Sequence, residues 1–128
     1  MSTNYYALFH AVCRNCADCF IGGSSADRSR KAWLQAYRAI EHGNASDRCK
    51  DQSVMRRFPK AIEDFGNLFV LAQRKRHLAD YDPEARFTRS EVLTDIEAAD
   101  VALRAFGKAP MKDRRAFAAW VMIKGRRG

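Results

Sequence analysis

The chain has 128 residues, 47% of them hydrophobic, and carries 23 Lys and Arg against 15 Asp and Glu, a formal net charge of +8. This length supports one hydrophobic core, and the apolar fraction excludes an intrinsically disordered chain. The basic excess is typical of proteins that bind nucleic acid or an acidic protein, although a basic surface that only maintains solubility gives the same balance.

The sequence shows no targeting or membrane segment. Its first residues lack the basic and apolar regions of a signal peptide, and no stretch approaches the ~18 uninterrupted apolar residues of a membrane span. We therefore expect a cytoplasmic protein with no membrane partner. In that compartment the four cysteines should be free thiols.

The spacing of apolar residues predicts helices throughout and no strands. The first helix covers about residues 4–20, and the second covers about 27–42 and ends at Gly43. Residues 44–54 are predicted to form a helical turn and a loop. The buried sides of these two helices are predicted to carry Tyr5, Phe9, Val12, Cys16 and Phe20 in the first and Trp33, Ala36, Tyr37 and Ile40 in the second.

Three further helices follow in the second half of the chain. Pro59 opens the third, which runs to about Tyr81 and is stopped by Pro83. Thr88 and Glu91 have the spacing of a capping box. They begin a fourth helix that ends at about residue 107, and a fifth follows over about 110–123. The prediction is an all-α protein, a compact antiparallel bundle of about five helices over residues 1–123 with a basic tail at 124–128. The buried sides of the last two helices are predicted to carry Val92, Ile96, Ala99, Leu103 and Phe106 in the fourth and Phe117, Trp120 and Ile123 in the fifth.

The third helix places an arginine on its apolar side. The stripe of Ile62, Phe65 and Phe69 continues through Ala72 onto Arg76. A buried guanidinium is costly without a partner, and Asp80 lies one turn further along the helix, at neighbour spacing. Two interpretations stay open: an Arg–Asp pair that fixes helix packing, or an anion site in which the arginine binds phosphate and the neighbouring His77 or Tyr81 transfers a proton or stacks a base.

Three segments resemble elements of the bacterial HEPN (higher eukaryotes and prokaryotes nucleotide-binding) domain family. Residues 4–11, NYYALFHA, resemble its (R/N)-YYA-(M/L)-FHA signature, and residues 76–81 resemble its R-x-x-A-D-Y element. Residues 36–43 resemble the histidine-containing segment between the two. The resemblance covers about residues 4–106 and implies a HEPN-like helical fold.

The resemblance also implies a homodimer and a role with RNA or a nucleotide. Many HEPN proteins are metal-independent endoribonucleases of toxin–antitoxin or phage-defence systems, and others are non-catalytic modules that bind RNA or a partner protein. An antitoxin or a nucleotidyltransferase would be the implied protein partner, and no cofactor or metal is implied. The implied catalytic residues are Arg76, His77, Asp80 and His10, and Tyr6, Arg38 and His42 are predicted to bind nucleic acid. The pattern of residues adds Arg74 and Lys75, which flank Arg76 and could bind phosphate, and Tyr81, which could stack a base.

The sequence departs from the R-x(4–6)-H motif of the nucleases in this family. Tyr81, Asp82 and Pro83 occupy the positions where the histidine would follow Arg76, and Arg38 to His42 is R-x(3)-H. A general acid or base would have to be His77, His10 or His42, brought in by the fold or across a dimer. The departure favours the non-catalytic interpretation.

Three cysteines follow one another at intervals of three, Cys13, Cys16 and Cys19, with His10 before them. On a helix this spacing rotates the thiols around the axis, so that Cys13 and Cys19 are about 120° apart. Zinc sites need thiolates that converge on one point, and cysteine also packs as a small apolar residue. We predict a structural role and no metal.

Overall fold

The computed structural model describes the backbone of residues 2–123 and the side chains of residues 4–123. These residues form seven α-helices and no strand, which confirms the all-helical prediction. The helices are α1 Ser2–Phe20, α2 Arg30–Arg38, α3 His42–Lys50, α4 Gln52–Met55, α5 Lys60–Tyr81, α6 Arg89–Lys108 and α7 Met111–Met122. None of them is long and apolar enough to cross a membrane. The predicted basic tail at 124–128 lies outside the described residues.

The region between residues 27 and 58 corrects the prediction of five helices. The second helix is shorter than expected and ends at Arg38, and Glu41 adopts an extended conformation before α3 begins at His42. Gly43 therefore lies in the first turn of a new helix and does not follow the end of the previous one. The predicted turn and loop are α3 and α4, because α3 buries Ala45 and Cys49 in the core and packing outweighs the polar local sequence.

Helix α1 is central, since it contacts α2, α5, α6 and α7. Tyr5, Val12 and Cys16 are fully buried as predicted, whereas Phe20 is 71% exposed because it is the last residue of the helix and extends past the core. Two further residues of the predicted buried sides are exposed, one within α6 and one just past the end of α7. Ile96 and Ile123 were predicted to be buried and are 47% and 67% exposed.

The core joins the first half of α5 to α1, α6 and α7. Phe65 and Phe69 are fully buried, and the Phe65 ring centroid lies 4.3 Å from that of Phe106. The start of α6 confirms the predicted cap, because the hydroxyl of Thr88 accepts the backbone N–H of Glu91 at 3.1 Å.

The cysteines occupy the α1 and α3 parts of this core. All four are free thiols, and Cys13, Cys16 and Cys49 are buried. Burial raises the pKa of these three thiols to about 12, so they stay protonated and pack as apolar groups. Among residues 4–123 no group of three or more His, Cys, Asp or Glu side chains is placed to hold a metal ion.

Candidate anion-binding site

Arg76 lies where α5 leaves the core. Phe69, two turns earlier, is fully buried, whereas the Arg76 side chain is 31% exposed. Its Nη2 donates a hydrogen bond to the Tyr6 hydroxyl at 2.9 Å. The guanidinium carbon is 4.9 Å from the centroid of the Tyr6 ring and 5.1 Å from that of Tyr5. Cation–π contacts with two rings therefore fix the guanidinium against α1.

The predicted pairing of Arg76 with Asp80 is present and is weak. Nε of Arg76 and Oδ2 of Asp80 are 3.7 Å apart, and the Asp80 side chain is 49% exposed. An ion pair that is this long and this exposed contributes little to stability. The two tyrosines therefore position the guanidinium, and Asp80 compensates its charge only in part.

The Tyr5 side chain connects Arg76 to His42. Its hydroxyl is hydrogen-bonded to Nδ1 of His42, the first residue of α3. The His42 ring also stacks on Phe9, with centroids 3.9 Å apart and planes within 19°. We refer to Arg76, Tyr5, Tyr6 and His42 as the Arg76 cluster.

Burial and the Arg76 charge control the protonation of this cluster. Burial raises the pKa of the Tyr5 phenol to about 12, although the neighbouring Arg76 charge opposes the rise. The pKa of His42 is lowered from 6.5, first by partial burial and then by the positive charge of Arg76. At neutral pH the phenol keeps its proton and the imidazole is uncharged.

We infer the tautomer of His42 from the same contacts. The Arg76 cation repels the hydroxyl proton of Tyr5, which favours donation of this proton to Nδ1 of His42. The imidazole proton then lies on Nε2 and is available to a ligand. The cluster thus presents a guanidinium, an imidazole N–H and the Tyr6 hydroxyl, a set of donors suited to an anion.

The other predicted site residues are distributed over separate surfaces. Nδ1 of His10 is hydrogen-bonded to the Tyr37 hydroxyl, between α1 and α2. Lys75 forms an ion pair with Asp95 of α6 at 2.8 Å. The ring centroids of His77 and Tyr81 lie 4.7 Å apart on the exposed last turns of α5. Arg74 lines an open groove beside α3, and Arg38 lines another along α2. The structure therefore brings Arg76, Asp80, Tyr6 and His42 together and places the remaining six elsewhere.

Two residues of the site were missed from the sequence. The sequence places Tyr5 and Phe9 only on the buried stripe of α1. Tyr5 is fully buried and Phe9 is partly buried, and this prediction omits the hydroxyl and ring contacts with His42. The available signal was the polar end of a tyrosine at a core position, because a buried hydroxyl needs a partner. Comparisons of the chain with protein-family models, with curated proteins and with solved structures find no match.

Proposed function

We propose that the chain is a HEPN-like RNA-binding protein in which the Arg76 cluster holds a phosphate of single-stranded RNA. The proposal depends most on the contacts of the Arg76 guanidinium. Arg76 is fixed by Tyr5 and Tyr6, is only weakly paired with Asp80, and adjoins a neutral His42. Arginine binds phosphate oxygens through two parallel N–H bonds, which suits this arrangement.

Two further features favour RNA as the source of that phosphate. Tyr6 is 47% exposed beside the guanidinium, and exposed aromatic rings can stack unpaired bases. The net charge of +8 adds the sequence-independent attraction that phosphate backbones require. The similarity of residues 4–11, 36–43 and 76–81 to HEPN elements supports the same function. The homodimer and the antitoxin or nucleotidyltransferase partner stay predictions of that resemblance.

A metal-independent endoribonuclease is the second candidate function, because the Arg76 cluster contains a histidine, His42, and a nuclease needs a proton acceptor beside its phosphate-binding arginine. A base that takes the 2′-hydroxyl proton requires a free nitrogen lone pair. In the tautomer inferred above, Tyr5 donates to Nδ1 of His42, so Nε2 carries the proton and has no lone pair to offer. Cleavage would require the Tyr5–His42 hydrogen bond to reverse, and the contacts therefore favour binding over catalysis.

The test measures RNA binding and cleavage in the same samples. A labelled single-stranded RNA of twelve nucleotides is titrated in EDTA with the wild type, Arg76→Gln and Arg57→Gln, which removes the same charge from the exposed α4–α5 connection. We expect Arg76→Gln to weaken binding about tenfold, the loss of a hydrogen bond to a charged group, and Arg57→Gln to change it less than twofold.

Circular dichroism confirms that each variant is folded. Equal affinities for the wild type and Arg76→Gln would contradict RNA binding at this cluster. Gel analysis of the bound RNA separates the two candidate functions. Cleavage by the wild type that is lost in both Arg76→Gln and His42→Gln would establish the nuclease.

A further inference from the structure

A row of exposed side chains leads away from the Arg76 cluster along α1. Tyr6, His10 and Arg14 follow one another at intervals of four residues and are all exposed. Residues at this interval lie on the same side of a helix, and each step advances about 6 Å along the axis. Arg14 therefore lies about 12 Å beyond Tyr6.

Arg14 is at the edge of an open groove of about 460 Å³ between α1, α6 and α7. The buried Phe106 ring lies among its apolar lining residues, and Arg114 of α7 lines it as well. Hydrogen bonds fix both the side chain and the backbone of Arg114. Its Nε donates to the carbonyl oxygen of Ala109 at 2.9 Å, and its own carbonyl oxygen accepts the side-chain amide of the buried Asn15 at 3.1 Å. We call this surface the α1–α7 groove.

The charge of the α1–α7 groove is positive. The carboxylate of Asp18, which also lines it, is already bound by the guanidinium of Arg28 at 3.0 Å and by the indole N–H of Trp33 at 2.8 Å. Within the described part of the chain, neither Arg14 nor Arg114 has a carboxylate within ion-pair distance. Two arginines thus face a groove whose one carboxylate is neutralised.

We propose that the α1–α7 groove is a second phosphate subsite and that the ligand is a single RNA strand running along α1 between it and the Arg76 cluster. This inference rests on the proposed RNA binding and specifies the length of the RNA. A stacked strand rises about 3.4 Å along its axis per nucleotide, so a gap of about 12 Å along α1 corresponds to about four nucleotides. A mononucleotide or dinucleotide cannot reach both ends.

The experiment measures the affinity of oligouridylates of two, four and eight nucleotides for the wild type, Arg14→Gln, Arg76→Gln and Arg57→Gln. Arg14 is exposed on a helix, and glutamine keeps the helix propensity, so folding is preserved. We expect Arg14→Gln to weaken octamer binding about fivefold, to reduce the salt slope of that binding by about 0.7, and to leave dinucleotide binding unchanged. Arg57→Gln should leave all three affinities within twofold.

The outcomes separate this inference from the proposed function. An octamer that binds the wild type and Arg14→Gln equally, while Arg76→Gln binds it weakly, would overturn the α1–α7 path and leave the Arg76 cluster as an RNA site. An equal loss for the dinucleotide and the octamer in Arg14→Gln would also overturn it, because the two subsites would then be one. Failure of every RNA to bind the wild type would overturn the proposed function itself.

Discussion

The protonation of His42 links the stability of the fold to the chemistry of the site. Its ring is stacked on Phe9, is hydrogen-bonded to Tyr5 and lies in the field of Arg76. Partial burial and the Arg76 charge disfavour the charged imidazole, because burial removes solvent and the guanidinium repels a second positive charge. At neutral pH the cluster therefore carries one cation and not two.

We predict that His42 titrates below 6.5 in the folded protein and that Arg76→Gln raises its pKa without restoring the ordinary value, since partial burial remains. The lowered pKa contributes stability that is fully present above 6.5 and is lost as the pH falls through the folded-state pKa. Chemical-shift titration measures the pKa, and urea unfolding at pH 7.5 and 5 measures the stability. His42→Gln is the control and should lose less stability on acidification. A wild-type His42 that titrates at or above 6.5 would contradict this account.

At the residue scale, the helical pattern of the sequence predicts only part of the site. Arg76 and Asp80 are recognisable because an arginine that interrupts an apolar helical stripe needs a partner, and the partner lies one turn away. The hydrogen bond between Tyr5 and His42 joins residues 37 positions apart, and only the packing of α3 against α5 and of α1 against α5 brings them together. Helical periodicity reports which side of a helix is buried but not which helix faces it.

At the scale of helices, the close approach of α5 to α3 and α4 depends on Gly66. A Cβ added there would lie 2.5 Å from Cε of Met55 and 3.6 Å from Sγ of Cys49. Met55 and Cys49 are fully buried, so the methionine cannot swing into solvent. The approach also explains why residues 42–55 fold as two short helices, because they cover this face of α5.

We predict that Gly66→Ala destabilises the protein by about 1 kcal/mol. Overpacking costs about 1–3 kcal/mol, and the higher helix propensity of alanine offsets about 1 kcal/mol of that cost. Gly107 of α6 is the matched control because a Cβ there meets no atom within 4 Å, and Gly107→Ala should stabilise by about 0.5 kcal/mol. Denaturant unfolding of both variants provides the comparison, and equal stabilisation by the two alanines would show that α5 does not approach α4 this closely.

For the molecule as a whole, burial is distributed unevenly along the chain. Residues 5–17 of α1 and 62–69 of α5 contribute much of the core, and α7 packs on it through contacts with α3, which is distant in sequence. The indole N–H of Trp120 donates to the carbonyl oxygen of Arg48 at 2.9 Å, and the Asn44 amide donates to that of Val121 at 3.2 Å. By contrast, residues 77–81 of α5 are all exposed. Arg76 is therefore the last residue of α5 to be held by the core.

Hydrogen exchange should reproduce this division. We predict that the amides of residues 77–81 exchange at least about tenfold faster than those of residues 62–69 in the same helix, because a helix end with few buried contacts opens without unfolding the core.

Single-stranded RNA of eight nucleotides should slow exchange over residues 76–81, since a phosphate bound to Arg76 would hold this end of α5 against α1, and should leave exchange of residues 62–69 unchanged. Mass spectrometry of peptides from α5 measures both effects, with Arg76→Gln as the variant in which RNA gives no protection. Uniform exchange along α5 would show that its last turns belong to the cooperative core, whereas protection by RNA that persists in Arg76→Gln would place the RNA away from this arginine.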